Sequence, residues 1–159
     1  MSFIYLGLGS NLGDKEANIR KAIELIGQKC KVLRVSRLYK TEPVGYKEQD
    51  WFLNCVVEAE SCCEPLLLFA ALQAIEKRLK REKTVVNGPR TIDIDVLFWG
   101  DSVLNVGGFT IPHPKLHERG FVLQPLMELA PNLVHPVQKK TVKQLIEALK
   151  GAEKVELCE

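Results

Sequence analysis

The chain has no apolar run long enough to span a bilayer, and its start, Met1-Ser2-Phe3-Ile4-Tyr5-Leu6-Gly7, lacks the basic region and apolar stretch of a secretory signal. The expectation is a cytoplasmic protein with no membrane role. It also lacks a charge excess: 22 basic and 20 acidic residues leave a formal net charge of +2. That is too little for a global field of the kind that draws a protein onto nucleic acid. Any anion it binds must therefore be met by a local cluster. Its five cysteines, Cys30, Cys55, Cys62, Cys63 and Cys158, are odd in number and follow no repeated ligand spacing. Reduced thiols fit that pattern better than a disulfide framework, and the adjacent Cys62 and Cys63, with no His near them in sequence, make a poor zinc site. No internal repeat or low-complexity linker divides the chain. With 159 residues, 46% hydrophobic and 26% charged, the expectation is one compact domain over residues 1–159.

Two nucleotide-binding signatures are missing as well. In Gly7-Leu8-Gly9-Ser10-Asn11-Leu12-Gly13 the third glycine falls one place too late for a dinucleotide fingerprint. No Gly-Lys-Ser or Gly-Lys-Thr loop occurs either. A nucleotide here would be held by Arg, His and metal rather than by a helix-cradling loop.

Periodicity gives a strand over Ser2 to Leu8, then a helix capped by Asp14 with Ile19, Ala22, Ile23 and Ile26 as its apolar stripe. A strand from about Val32 to Tyr39 follows, then a loop over Thr41 to Gln49 with Pro43 and Gly45. In the strand from Phe52 to Glu60, Phe52 and Asn54 share one face, and Leu53, Cys55, Val57 and Ala59 the other. A second helix starts near Pro65 and carries Leu68, Ala71, Leu72, Ile75 and Leu79, with Gln73 and Glu76 off the stripe. The strand from Ile92 to Trp99 sets Ile92, Ile94, Val96 and Phe98 against Asp93, Asp95, Leu97 and Trp99. A hairpin near Val103 to Ile111, helical turns between Lys115 and Ala130, a helix capped by Thr141 and a strand near Lys154 to Leu157 complete the chain. Interleaved strands and helices of this kind give a mixed or antiparallel sheet with helices packed on it.

Asp93 and Asp95 emerge on one strand face roughly 7 Å apart along the backbone, at ~3.3 Å per residue. Two carboxylates side by side repel, and a divalent ion such as magnesium removes that penalty. Taken alone, two acids on a strand also read as a solvated face. Immediately upstream, Asn87-Gly88-Pro89-Arg90-Thr91 presents a guanidinium beside the acids, either as their ion-pair partner or as a forked donor to polyphosphate. In the segment Pro112-His113-Pro114 to Arg119-Gly120-Phe121, His113 and Arg119 can join Arg90 around a triphosphate. The basic run Lys77-Arg78, Lys80-Arg81 and Lys83 reads mostly as a solvated face.

These residues resemble the 6-hydroxymethyl-7,8-dihydropterin pyrophosphokinase family of folate biosynthesis. The likeness runs from Gly9-Ser10-Asn11-Leu12-Gly13 through Thr41-Glu42-Pro43, Phe52-Leu53-Asn54 and Gly88-Pro89-Arg90-Thr91-Ile92-Asp93-Ile94-Asp95 to Pro112-His113 and Arg119-Gly120-Phe121. It implies an α+β fold of ferredoxin-like type, a mixed or antiparallel sheet with helices on both faces in three α-β-α layers. It implies a pterin ring between Phe52 and Phe121, its polar edge read by Asn54 and by Thr41, Pro43, Val44 and Gly45. Asp93 and Asp95 would hold two magnesium ions, Gln73, Glu76, Arg90, His113 and Arg119 would contact ATP, and Arg81, Arg90 and Asp95 would serve catalysis. The reaction implied is attack of the pterin hydroxyl on the β-phosphorus of ATP, with AMP leaving. Association with a neighbouring folate enzyme stays open. So do two rivals, another two-metal phosphoryl-transfer enzyme and a non-catalytic pterin-binding module. The chain departs from common family usage at Asn87, where many relatives carry Trp, at Gly108, where some carry Arg, and at Phe52, where Tyr is common.

Overall fold

In strand β1 (Ser2–Ser10) side chains alternate across the pleat, so Ile4, Leu6 and Leu8 enter one core while Tyr5 enters another on the opposite face. The computed structural model describes residues 2–45, 47–79, 91–151 and 153–158. After β1 come helix α1 (Lys15–Ile26), strands β2 (Lys31–Val35), β3 (Tyr39–Thr41) and β4 (Phe52–Ser61), helix α2 (Pro65–Arg78) and strand β5 (Asp93–Trp99). The hairpin β6 (Leu104–Val106) and β7 (Phe109–Ile111), helices α3 (Gly120–Leu129) and α4 (Val142–Ala148) and strand β8 (Val155–Leu157) follow. The main sheet runs β5-β1-β4-β3-β8, with β2 also on β4. Every named pairing in it is antiparallel, so of the mixed and antiparallel alternatives the second holds.

Helices α1 and α2 cover one face, with Ile19, Ala22, Leu25 and Ile26 of the first and Leu68, Phe69, Leu72 and Ile75 of the second in one buried cluster. Helices α3 and α4 cover the other through Val122, Leu123, Leu126, Val142 and Leu145. This is the three-layer α+β arrangement of ferredoxin-like type. Local signals start the helices: the Asp14 side chain accepts from the Ala17 N–H, Pro65 opens α2, and Thr141 forms a capping box with Gln144. Removing that last cap by Thr141→Ala is expected to cost about 1 kcal/mol, a fall of roughly 2–4 °C in Tm for a chain of this size. Thermal denaturation followed by circular dichroism checks it.

The single strand expected from Val32 to Tyr39 is two strands. Ser36 interrupts it by donating its N–H to the Val56 carbonyl and accepting the Val56 N–H on its hydroxyl, both at 2.9 Å, so a side chain replaces part of the ladder. Strand β5 departs from simple alternation too. Its register against β1 pairs Leu6 with Val96 but Tyr5 with Phe98, leaving Leu97 as an extra residue. Beyond this bulge the faces exchange, placing Phe98 in the core under α3 and Trp99 in the core under α2, the reverse of the expected order.

Candidate active site

The register across three strands builds the site. Gly9 pairs with Asn54 on one side and Asp93 on the other, and Gly7 pairs with Val56 and Asp95. Directly opposed residues share a face, so Asn54, Gly9 and Asp93 form one row and Val56, Gly7 and Asp95 the next, on the side of α3. Two side-chain-free positions at the centre leave an open floor between the carboxylates and the amide. A Cβ on Gly9 would lie 2.6 Å from Asn54 Oδ1, and one on Gly7 would lie 3.4 Å from the Leu97 side chain. From sequence alone these glycines are only excluded as a dinucleotide fingerprint, and Gly7 and Gly9 are not singled out as a floor. The available signal was Leu6-Gly7-Leu8-Gly9, glycine at every second place of an apolar strand.

Above that floor is an open cleft of about 700 Å³, counting the solvent space at its mouth. Phe52 and Asn54 of β4, Thr41 and Val44, Asp93 and Asp95, and Arg119 and Phe121 all line it. Glu42 lines it as well, while Pro43 and Gly45 of the expected set are not in its wall. Asn54 is 6% exposed and Thr41 1%. The Asn54 amide donates to the Thr41 hydroxyl, which fixes its orientation. Phe121 is placed by α3, whose Glu128 carboxylate accepts from the Arg37 N–H, the Arg37 guanidinium and the Tyr39 hydroxyl of the sheet. Burial and the Glu128 carboxylate push the Tyr39 phenol up to about 12. The Arg119 guanidinium lies 5.5 Å from the centre of the Phe121 ring.

A second cleft runs along the outer edge of β5, between α2 and the β6–β7 hairpin, lined by Gln73, Glu76, Phe69 and Phe109 together with Asp93 and Asp95. The Glu76 carboxylate accepts the Ile94 N–H at 2.9 Å on this edge. Phe69, absent from the expected stripe, is buried because Phe109 stacks on it at 4.2 Å and Trp99 meets it edge-on at 6.2 Å. Both half-buried aspartates thus face two adjoining clefts. Among the described residues no group of three or more His, Cys, Asp or Glu is placed to hold a metal. A pair of carboxylates suits magnesium, which keeps several waters and completes its shell with substrate phosphates. Arg81 and Arg90 lie outside the described residues.

His113 is held beside β5 by its N–H, which donates to the Leu97 carbonyl at 3.1 Å. Its Nδ1 accepts the Lys115 N–H at 3.2 Å, leaving the proton of the neutral ring on Nε2. Burial first, then Arg119, lower its pKa to about 4 against an opposing pull from Asp93. His113 is in neither cleft wall. At neutral pH it offers a donor, not a cation. His135, 4% exposed, accepts two backbone N–H groups on Nδ1, and burial followed by His117 lowers its pKa. A histidine with a depressed folded pKa takes up its proton more readily in the unfolded chain, so stability present above the unfolded value of ~6.5 falls as pH drops. Tm is expected to decline as pH drops below about 6.5, His113 acting in the same direction, and His135→Gln makes that slope shallower in a pH series of melts.

On this fold, two carboxylates border two adjoining clefts, an arrangement suited to the class of phosphoryl and pyrophosphoryl transfer. Comparison with known proteins narrows the class. The family model described as 7,8-dihydro-6-hydroxymethylpterin-pyrophosphokinase matches residues 5–131. The 2-amino-4-hydroxy-6-hydroxymethyldihydropteridine pyrophosphokinase of Aquifex aeolicus is 38% identical over 144 residues, covering 91% of this chain and 90% of that relative. The Bacillus subtilis protein of the same name is 42% identical over 127 residues, covering 79% and 76%. The chain belongs to this pterin pyrophosphokinase family. It spans only about a fifth of some relatives: the folic acid synthesis protein fol1 of Schizosaccharomyces pombe is 43% identical over 147 residues, 91% of this chain and 20% of that protein. Solved HPPK-DHPS structures share the fold. One in complex with substrates gives a TM-score of 0.74 at 16% identity over 92% of this chain and 43% of its own. The Plasmodium falciparum wild type with pterin and p-hydroxybenzoate gives 0.73 at 18% identity, covering 92% and 42%.

Proposed function

We propose that this chain transfers the pyrophosphoryl group of ATP to the hydroxymethyl arm of 6-hydroxymethyl-7,8-dihydropterin, with two magnesium ions held at Asp93 and Asp95. The observation that carries this reading is the pair of carboxylates common to both clefts, so a group bound in one reaches a group bound in the other beside them. The first cleft suits the pterin. Phe52 and Phe121 offer apolar faces to a flat ring, and the buried Asn54 amide, oriented by Thr41, reads its polar edge. Val44 lines that slot, and Pro43 and Gly45 are its neighbours in the same loop. The second cleft suits the nucleotide, with Gln73 and Glu76 on its helical wall.

The pterin oxygen forms a bond to the β-phosphorus, the bond from that phosphorus to the α,β-bridging oxygen breaks, AMP leaves, and the hydroxyl proton passes to solvent. Divalent cations, when bound, supply charge neutralisation of the phosphates and acidify the attacking hydroxyl. The chain's own contribution is position: Asp93 and Asp95 set where that charge sits, Phe52, Phe121 and Asn54 fix the hydroxymethyl arm, and Arg119 faces the anion. Arg81 and Arg90, by family likeness, offset charge on the transferring group, and His113 donates from Nε2. The whole of residues 1–159 is taken to act as one catalytic domain, and the longer relatives fit its association with a neighbouring folate enzyme.

Titration of the protein's fluorescence with 6-hydroxymethyl-7,8-dihydropterin, with and without magnesium and the methylene analogue of ATP, tests the two-cleft arrangement. Saturable binding of each, with Asn54→Ala weakening only the pterin by about tenfold or more, is expected. Mutual exclusion of the two ligands would contradict it.

A further inference from the structure

The loop after β3 supplies Thr41, Glu42 and Val44 to the first cleft, yet much of what holds it comes from residues 153–158, more than a hundred positions away in sequence. Strand β8 pairs with β3 in the register Tyr39 to Leu157, Lys40 to Glu156 and Thr41 to Val155. The ladder continues past both strand ends: the Cys158 N–H donates to the Leu38 carbonyl at 2.9 Å, and the Glu42 N–H to the Lys154 carbonyl at 3.0 Å. Glu42 is therefore a cleft-lining residue whose backbone is pinned by the C-terminal segment. One step further, Glu153 lies 3.7 Å from Lys47 Nζ, and the same ammonium donates to the Pro43 carbonyl. A chain of contacts thus runs from Glu153 through Lys47 to Pro43, in the middle of the loop that faces the pterin slot.

We propose that the segment 153–158 is a positioning element for pterin recognition, acting through β3, Glu42 and the Lys47 bridge. The inference rests on the pterin reading of the first cleft. β8 contributes nothing to the wall of either cleft, so its effect passes through the placement of residues 41–44 and through its packing against α3, the helix that carries Phe121. The Lys40–Glu156 pair adds opposite charges directly across the two strands. None of the described residues lining the second cleft belongs to this segment, and nucleotide recognition is expected to be independent of it.

The variant Glu156→Pro removes a ladder N–H from the middle of β8, and Glu153→Gln removes only the ion pair at the start of the segment. In the full chain, KM for the dihydropterin rises about tenfold in Glu156→Pro, while KM for ATP and kcat stay within about twofold. Glu153→Gln, which leaves the backbone ladder intact, raises the pterin KM about twofold with an unchanged Tm. Thermal melts run beside the kinetics. A folded Glu156→Pro with an unaltered pterin KM overturns the proposal, as do equal increases for both substrates, which mark general loosening. Should Glu156→Pro fail to fold, Glu153→Gln decides: a rise confined to the pterin KM supports the positioning role, and no change overturns it. A native chain that binds no dihydropterin at all sinks the pterin reading and this inference together, whereas failure confined to the variants sinks the inference alone.

Discussion

Asp95→Asn is expected to lower kcat by about a thousandfold or more, equivalent to roughly 4 kcal/mol of lost transition-state stabilisation, while dihydropterin affinity changes by less than about threefold. Asp95 stands opposite Gly7 on the face toward α3 and borders both clefts, so its carboxylate is placed for phosphate-bound cations. The pterin ring contacts proposed here lie at Phe52, Asn54 and Phe121. Asparagine keeps the volume and removes the anion, which a hard divalent ion requires. The apolar core beneath is built by Ile94 and Val96 on the opposite face, so the fold survives the change. Steady-state turnover beside a pterin titration separates the two quantities. A variant retaining more than about a tenth of native kcat would show that Asp95 is not needed to hold catalytic charge.

Gly9→Ala is expected to weaken the dihydropterin by about ten- to a hundredfold, the equivalent of 1–3 kcal/mol of overpacking, with ATP affinity close to native. A methyl at this place would sit 2.6 Å from Asn54 Oδ1 and 3.5 Å from Phe52 Cδ1. Relief requires Asn54 to turn, and Asn54 is buried and hydrogen-bonded to Thr41. The amide proposed to read the pterin edge is thus displaced without being mutated. Gly7→Ala, which meets only the Leu97 side chain at 3.4 Å, has the milder effect. If Gly9→Ala bound the pterin as tightly as the native chain, Asn54 would not be the group that recognises it.

The placement of Asp93 and Asp95 on one face, and of Phe52 with Asn54 on another strand, was legible because both follow from period-two alternation within a few residues. Their meeting was not, since it depends on the pairing of Gly9 with Asn54 on one side and Asp93 on the other, contacts remote in sequence. The exchange of Phe98 and Trp99 between cores had the same origin: the extra residue at Leu97 is a property of two strands together. Phe69 looked like an off-stripe residue until the β6–β7 hairpin folded over it. The helix caps at Asp14 and Thr141 were readable, being local. The pairing of the C-terminal segment was not, because the strand near Leu157 carried no sign of which edge it would join.

In the proposed reaction one reactant in each cleft meets the other at the aspartate pair, and a pyrophosphoryl group passes between them. The most direct measurement is a magnesium-dependent single-turnover reaction of the native chain with ATP and 6-hydroxymethyl-7,8-dihydropterin, with products resolved by mass spectrometry. AMP and dihydropterin diphosphate in equal amounts is the result expected. ADP with a pterin monophosphate, or no product despite binding of both ligands, would contradict it.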